Sequence, residues 1–402
     1  MNKTVTCDIF CNVIDNYGDI GVCWRLARQL ANEHGLTVRL WVDDLGSFAK
    51  LCPEADATLE SQHCRGVEVC LWRKDFPETQ PAKLVIEAFA CELPQRYVAA
   101  MAELRHKPVW INFEYLSAED WVEGCHTLPS PHPSLPLVKY FFFPGFTPKT
   151  GGLLLEGDLL ARRDSFQRDA AQQQAFWQSI GMTTPASETI KVSLFAYEND
   201  ALPELLDAWV GGTETVLCLM PEGRILPQLG HYFGDAAPCA GDAYARGNLH
   251  LRVLPFVEQE RYDALLWACD INFVRGEDSC VRAQWAGLPF IWHIYPQHDN
   301  VHMQKLRAFM ALYCAGLPPD AADALHALWE EWNPSTGSGQ APSTVLESTS
   351  TSARQAWNNF LQHRSMLRQN ASAWAQHLSG NSLALNLLYF FRKIDRMRGL
   401  QS

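Results

Sequence analysis

Arg275, Glu277, Asp278 and Ser279 stand together in the segment RGEDS, between the apolar run Ile271–Val274 and a stretch of helical spacing that closes at Gly287-Leu288-Pro289. The run reads as a buried strand and the stretch from Ser279 as a helix, so the charged segment ends one and opens the other. At such a junction the N–H groups of Ser279, Cys280 and Val281 would point outward with the positive end of the helix dipole, which suits an anion such as a phosphate. Ser279 would add a hydroxyl and Arg275 a fixed charge. The plainer alternative is that Asp278 or Ser279 only caps the helix. It leaves Arg275 and Glu277 without a role.

A second constellation is IDNYGDIG, in which Asp15 and Asp19 flank Asn16, Tyr17 and Gly18 between a first strand and a helix. Both carboxylates would stand above the carboxyl edge of a sheet, where α/β proteins place reactive groups, although a lone Asp there is more often an N-cap. The loop lacks the GxGxxG arrangement, so a dinucleotide fingerprint is not supported. Glu114 and Tyr115 follow another apolar run and would reach the same edge, with a loop cap and a packed ring as the alternative. Phe195 and Tyr197 end a strand in the second half, and PFVEQERYDALLW offers Phe256, Gln259 and Tyr262 at a helix start. Aromatic faces with one amide suit a nucleobase, whereas aromatics at helical spacing more often fill a core.

His293, His298 and His302 have no cysteine pairs nearby and a proline between the first two, so zinc is not expected. There is no DxD triplet either. A departing anion would then be met by protein donors, as the Arg275 to Ser279 segment could do.

The elements that must position these residues alternate in type. Strands are expected at 5–13, 36–42, 84–89 and 109–113, with helices at 20–33 and 94–104; Ile20, Cys23, Ala27 and Leu30 share one face of the first helix. A second series has strands at 190–195, 215–219, 249–253, 271–274 and 290–293, with helices at 202–210, 259–268 and 279–286. Two βαβ series imply two parallel sheets and two Rossmann-like halves facing one another across a cleft. The Pro- and Gly-rich segment from Thr127 to Gly152 reads as long loops approaching a domain boundary. Residues 334–352, poor in apolar side chains, read as a mobile loop. Helical patterns through Trp357, Phe360 and Leu361, then Leu383, Leu387, Phe390 and Ile394, are apolar enough to dock.

At 402 residues the chain is too long for one ordinary core, which also points to two domains. With 45 acidic against 33 basic residues the net charge is −12, which argues against nonspecific attraction to nucleic acid or to an anionic membrane. Thirteen cysteines, an odd number without a CxxC pair, read as reduced core residues of a cytoplasmic protein. The first residues lack a basic segment followed by an apolar stretch, so no signal peptide is expected, and no apolar run reaches membrane-spanning length. Three classes fit the residues alone: a glycosyltransferase, a nucleotide-sugar epimerase on the same scaffold, and a nonenzymatic nucleotide sensor.

Taken together, NVIDNYGDIGVCWRLARQL, WINFEYLSAEDW, PGF followed by TGGLL, SLFAYEN, and LPFVEQERYDALLWACDINFVRGEDSCVRAQWAGLPFIWHIYPQ closely resemble the bacterial protein-arginine rhamnosyltransferase family EarP. The resemblance runs over nearly the whole chain except 334–352. It implies the GT-B glycosyltransferase fold, with an acceptor domain at 1–155, a nucleotide-sugar domain at 156–375 and a last helix at 376–402 packing back onto the first domain. It further implies an inverting, metal-independent monomer with no cofactor, which moves rhamnose from dTDP-β-L-rhamnose to an arginine of elongation factor P and so enables rescue of ribosomes stalled at proline runs. By matching positions the resemblance makes Asp19 the candidate general base, with Asp15 its partner and Glu277 the second essential carboxylate. Phe195, Tyr197, Phe256, Gln259 and Tyr262 form the nucleotide pocket, and Arg275, Asp278, Ser279 and Cys280 the diphosphate and sugar side. Asn16, Tyr17, Gly18, Glu114 and Tyr115 fall to the acceptor.

Overall fold

The computed structural model describes residues 5–14, 17–296, 300–333 and 352–399. Asp15, Asn16 and His298 lie outside the described residues, as does the low-complexity segment except its last residue, Ser352. The chain divides into two compact units, Met1–Gly157 with Leu378–Ser402, and Asp158–His377.

The first unit runs β1 (Thr6–Cys11), α1 (Gly18–Asn32), β2 (Thr37–Val42), α2 (Leu45–Leu51), β3 (Ser61–Cys64), β4 (Val67–Leu71), β5 (Leu84–Ala88), α3 (Gln95–Glu103), β6 (Val109–Phe113), α4 (Trp121–Cys125), β7 (Pro129–Pro131) and β8 (Val138–Phe142). Its sheet has the order β3-β4-β2-β1-β5-β6-β8-β7, parallel except at the two edges. β5 (LVIEA) and β6 (VWINF) are buried at every residue, as expected of parallel strands covered on both faces. Ile20, Cys23, Ala27 and Leu30 are all buried, so the stripe seen in the sequence is the face that α1 turns inward.

Two expectations change here. The segment 127–152 is not loop throughout, because β7 and β8 pair antiparallel within it. The hairpin β3–β4 was not anticipated either. Each hairpin adds a short edge strand, β3 or β7, whose residues are mostly exposed or half-buried, so neither edge presents the long apolar run that marks a central strand.

The second unit runs α5 (Leu159–Arg168), α6 (Ala170–Ser179), β9 (Ile190–Leu194), α7 (Leu202–Val210), β10 (Val216–Pro221), α8 (Leu226–Phe233), β11 (Ala243–Arg246), β12 (Leu249–Leu254), α9 (Gln259–Ala268), β13 (Ile271–Arg275), α10 (Asp278–Ala286), β14 (Phe290–His293), α11 (Val301–Tyr313), α12 (Pro319–Trp332), α13 (Ala353–Gln362) and α14 (Arg364–Leu378). The sheet order is β11-β12-β10-β9-β13-β14, with β11 alone antiparallel. Seen from β1 in one sheet and β9 in the other, successive strands add first to one side and then to the other. Each sheet therefore has a switch point, β1/β5 and β9/β13, beyond whose carboxyl ends α/β proteins bind ligands.

The last helix, α15 (Leu383–Gly399), packs against α1 and β6 of the first unit. Its approach depends on Gly152 at φ +79, where a Cβ would fall 2.1 Å from the carbonyl oxygen of Asn381. Only glycine permits both that backbone angle and that contact. Leu153 and Ser382 then form a parallel bridge, and Asn386 donates to the Gly151 carbonyl at 3.1 Å.

Candidate functional site

In the first unit, the chain leaving β1 is held by carboxylates on two consecutive N–H groups. Asp43, at the end of neighbouring β2, accepts from Val13 at 2.9 Å, and Asp19 accepts from Ile14 at 2.9 Å. Asp19 lies in the first turn of α1 rather than ahead of it, because the helix starts at Gly18. The N-cap position belongs to Tyr17, which makes no side-chain cap bond, and Asp19 is only 4% exposed. Asp19 is thus not an N-cap. Burial, then the neighbouring Cys23 thiol and the charges of Asp19 and Asp43, push the Cys11 thiol well above its ordinary value. Partial burial likewise raises Asp43, against the lowering effect of its bond from Val13.

Across the switch point, the turn after β5 has Phe89, Ala90 and Glu92 at φ +56, +53 and +53. Three non-glycine residues in the left-handed region store strain where the sheet opens, the kind of place where strain serves function. Tyr115 stacks on Phe89, ring centroids 4.5 Å apart. Glu114 receives a hydrogen bond from buried Asn112 and stands at the end of β6, so it shares the edge with Asp19 as expected.

In the second unit, Phe195 and Tyr197 follow β9 and share one side of the chain. The Arg275 guanidinium lies over both, 4.4 Å from the Phe195 centroid and 4.7 Å from that of Tyr197. Arg275 is 6% exposed, and its Nη1 meets no hydrogen-bond partner among the described residues. A buried guanidinium with an unused donor fits an anionic ligand. Tyr262 turns its ring edge to Phe195 at 5.8 Å, and burial holds its phenol well above its ordinary pKa. Gln259 starts α9 and approaches Asp278 Oδ2 at 3.4 Å; Phe256 is half-buried in the link before it.

The start of α10 departs from expectation in three details. The helix begins at Asp278, and Val281 already bonds to the Glu277 carbonyl, so Val281 offers no outward N–H. The Ser279 hydroxyl folds back, accepting from Arg275 N at 3.0 Å and donating to the Arg275 carbonyl, so Ser279 faces a ligand only through its backbone. The Cys280 side chain is wholly buried near the Gln284 amide, again leaving the N–H alone. Glu277 occupies the N-cap position without a side-chain cap bond.

Several neighbours were not anticipated in this role, although His293 was weighed as a metal ligand. Tyr295, 40% exposed beyond the end of β14, meets Tyr197 edge-on at 5.4 Å, and His293 meets it at 5.2 Å. Burial first, then Arg275 and His302, lower the His293 pKa to about 3. Asp263 and Arg282 pair between α9 and α10. Strand-end position would have flagged Tyr295 and Asp43; nothing local marks the Asp263–Arg282 pair. Among the described residues no three His, Cys, Asp or Glu side chains gather to hold a metal, and no helix is long and apolar enough to cross a membrane. All thirteen cysteines are unpaired.

A family model described as Elongation-Factor P (EF-P) rhamnosyltransferase EarP matches residues 7–392. The chain is 51% identical over 388 residues to a protein-arginine rhamnosyltransferase of Pseudomonas putida, covering 96% of this chain and 98% of that one. It is 36% identical to one of Neisseria meningitidis over 408 residues, 98% of each. A solved structure described as the structural basis for EarP-mediated arginine glycosylation of translation elongation factor EF-P superposes with a TM-score of 0.68 at 39% identity, over 97% of this chain and 99% of that one. The calicheamicin glycosyltransferase CalG4, at 11% identity and a TM-score of 0.51 over 98% and 99% of the two chains, shares the fold alone. That fold is GT-B.

Proposed function

Because this chain belongs to the EarP family of EF-P rhamnosyltransferases, we propose that it transfers rhamnose from dTDP-β-L-rhamnose to one arginine of elongation factor P, with inversion to the α-linked product. The protein is a protein-arginine rhamnosyltransferase. In our reading it works as a monomer in the bacterial cytoplasm, and the modified factor relieves ribosomes stalled at proline runs. The first unit takes the acceptor and the second the donor. The observation that carries the donor side is Arg275, buried against two rings with an unpartnered Nη1 beside the start of α10. The diphosphate would take that donor together with the first-turn N–H groups of Ser279 and Cys280. Thymine would lie among Phe195, Phe256, Gln259 and Tyr262.

A guanidinium is a poor nucleophile, with a pKa above about 12 against roughly 4 for a free aspartate. Prior deprotonation by Asp19 would cost on the order of 11 kcal/mol. Asp19 instead orients one nitrogen and takes its proton as the new C–N bond forms and the nitrogen becomes acidic, while the C1–O bond breaks and dTDP leaves with the electron pair. Asp15 and Glu114 hold other N–H groups of the acceptor. Attack on one face and departure from the other inverts the centre with no glycosyl-enzyme intermediate. Glu277 would repel diphosphate directly, so its role is to bind donor hydroxyls or to orient Arg275 and the neighbouring N–H groups.

Mass spectrometry of elongation factor P incubated with enzyme and dTDP-β-L-rhamnose tests this. The expected result is one rhamnose on one arginine and release of dTDP. An epimerase would alter the sugar nucleotide without the protein acceptor, and a sensor would leave it unchanged.

A further inference from the structure

Asp263 and Arg282 form a buried, two-point ion pair that no step of the transfer uses. Nε and Nη2 of Arg282 donate to the two carboxylate oxygens of Asp263 at 2.8 and 2.7 Å. The side chains are 1% exposed for Arg282 and 2% for Asp263. Taking two charges out of water is expensive, and an apolar pair of similar volume often stabilises a fold as well or better. What a planar, two-point bond adds is direction. Apolar side chains can slide past one another; a fork seated on a carboxylate fixes the rotation of one helix against the other.

Rotation matters because of what the two helices carry. Asp263 follows Tyr262 directly and lies about one turn beyond Gln259 on α9, and Arg282 lies about one turn beyond Ser279 on α10. At the helix starts Gln259 approaches Asp278, and on the same side Tyr262 meets Phe195 edge-on. We infer that the Asp263–Arg282 pair is a positioning device for the nucleotide end of the donor, locking α9 to α10 so that Gln259 and Tyr262 face the Arg275 to Ser279 segment. The inference rests on the donor-site reading of that segment.

The test uses the full chain with the double substitution Asp263→Leu and Arg282→Met, and separately Arg282→Lys, which keeps the charge but loses the fork. Thermal melting, calorimetric titration with dTDP and steady-state kinetics are compared with the parent enzyme. The double variant should melt at or above the parent temperature, bind dTDP at least tenfold more weakly and keep kcat at saturating donor within threefold. Arg282→Lys should weaken dTDP binding about fivefold. A folded double variant that binds dTDP like the parent overturns the inference, as does a collapse of kcat with dTDP affinity unchanged. If the double variant does not fold, Arg282→Lys decides, and unchanged affinity overturns. If the parent binds UDP or GDP instead of dTDP, the donor reading fails and the comparison is made with the nucleotide that binds. If the parent binds none of the three, both fall.

Discussion

The Arg275 guanidinium carbon lies 4.4 Å from the centre of the Phe195 ring, so the cation assigned to the diphosphate rests on a residue assigned to the nucleobase. Donor binding should therefore respond to both side chains together. Arg275→Ala is expected to lower kcat/KM for dTDP-rhamnose about a hundredfold, and Arg275→Lys to recover only part of it, because an ammonium lacks the planar fork and stacks less well. Kinetics with the donor varied check this. Full activity in the alanine variant would remove the diphosphate role, and full activity in the lysine variant the need for the planar fork.

Asp19→Asn should leave dTDP binding nearly intact and reduce turnover by at least about two orders of magnitude, as for loss of a positioned base. An amide oxygen can still accept the Ile14 N–H, so the loop stays in place while the base is gone. Asp43→Ala should instead loosen the loop at Val13, with a fall in kcat of about fivefold and no change in donor KM. Near-normal single-turnover rates in Asp19→Asn would sink the base assignment.

Phe256→Ala and Tyr262→Ala should each weaken dTDP binding by about 1–3 kcal/mol where the ring stacks on thymine. Tyr262 is buried and should also cost stability; half-buried Phe256 should cost less. Calorimetry with dTDP beside a thermal melt separates the two effects. Unchanged affinity in both variants would return the rings to a packing role.

Activity is expected to survive excess EDTA if, as proposed, Arg275 and the first-turn N–H groups of α10 meet the departing diphosphate in place of a metal. Glu277→Gln should lower turnover strongly. Full activity in that variant, together with loss of turnover in EDTA and recovery with magnesium, would require a different mechanism.

His293 should make the second unit acid-sensitive. Its pKa falls from the ordinary 6.5 to about 3 in the folded protein, so below pH 6.5 the unfolded chain binds a proton that the folded chain refuses. Stability contributed by the neutral ring is present at pH 7 and is lost as pH falls through that window, by about 2 kcal/mol between pH 7 and pH 5. Urea midpoints at both pH values should converge for His293→Gln relative to the parent. An equal acid loss in both proteins would show that other groups carry it.

The sequence alone determined where strands and helices alternate and which residues sit at strand ends, because periodicity, caps and breakers act within a few residues. That sufficed to place Asp19 and Glu114 beyond strand ends and to mark Arg275 to Ser279 as a strand–helix junction. It missed the hairpins β3–β4 and β7–β8, whose short, partly polar strands are defined by pairing rather than by pattern. It also misdirected the Ser279 hydroxyl, since the strand end behind it competes for that group as well as a ligand in front. Only the tertiary structure decided that Arg275 rests on Phe195 and Tyr197, that Asp43 reaches Val13, that Asp263 pairs with Arg282, and that α15 closes on Gly152. Each joins residues distant in the chain, and their meeting depends on strand order and helix rotation, which no local pattern encodes.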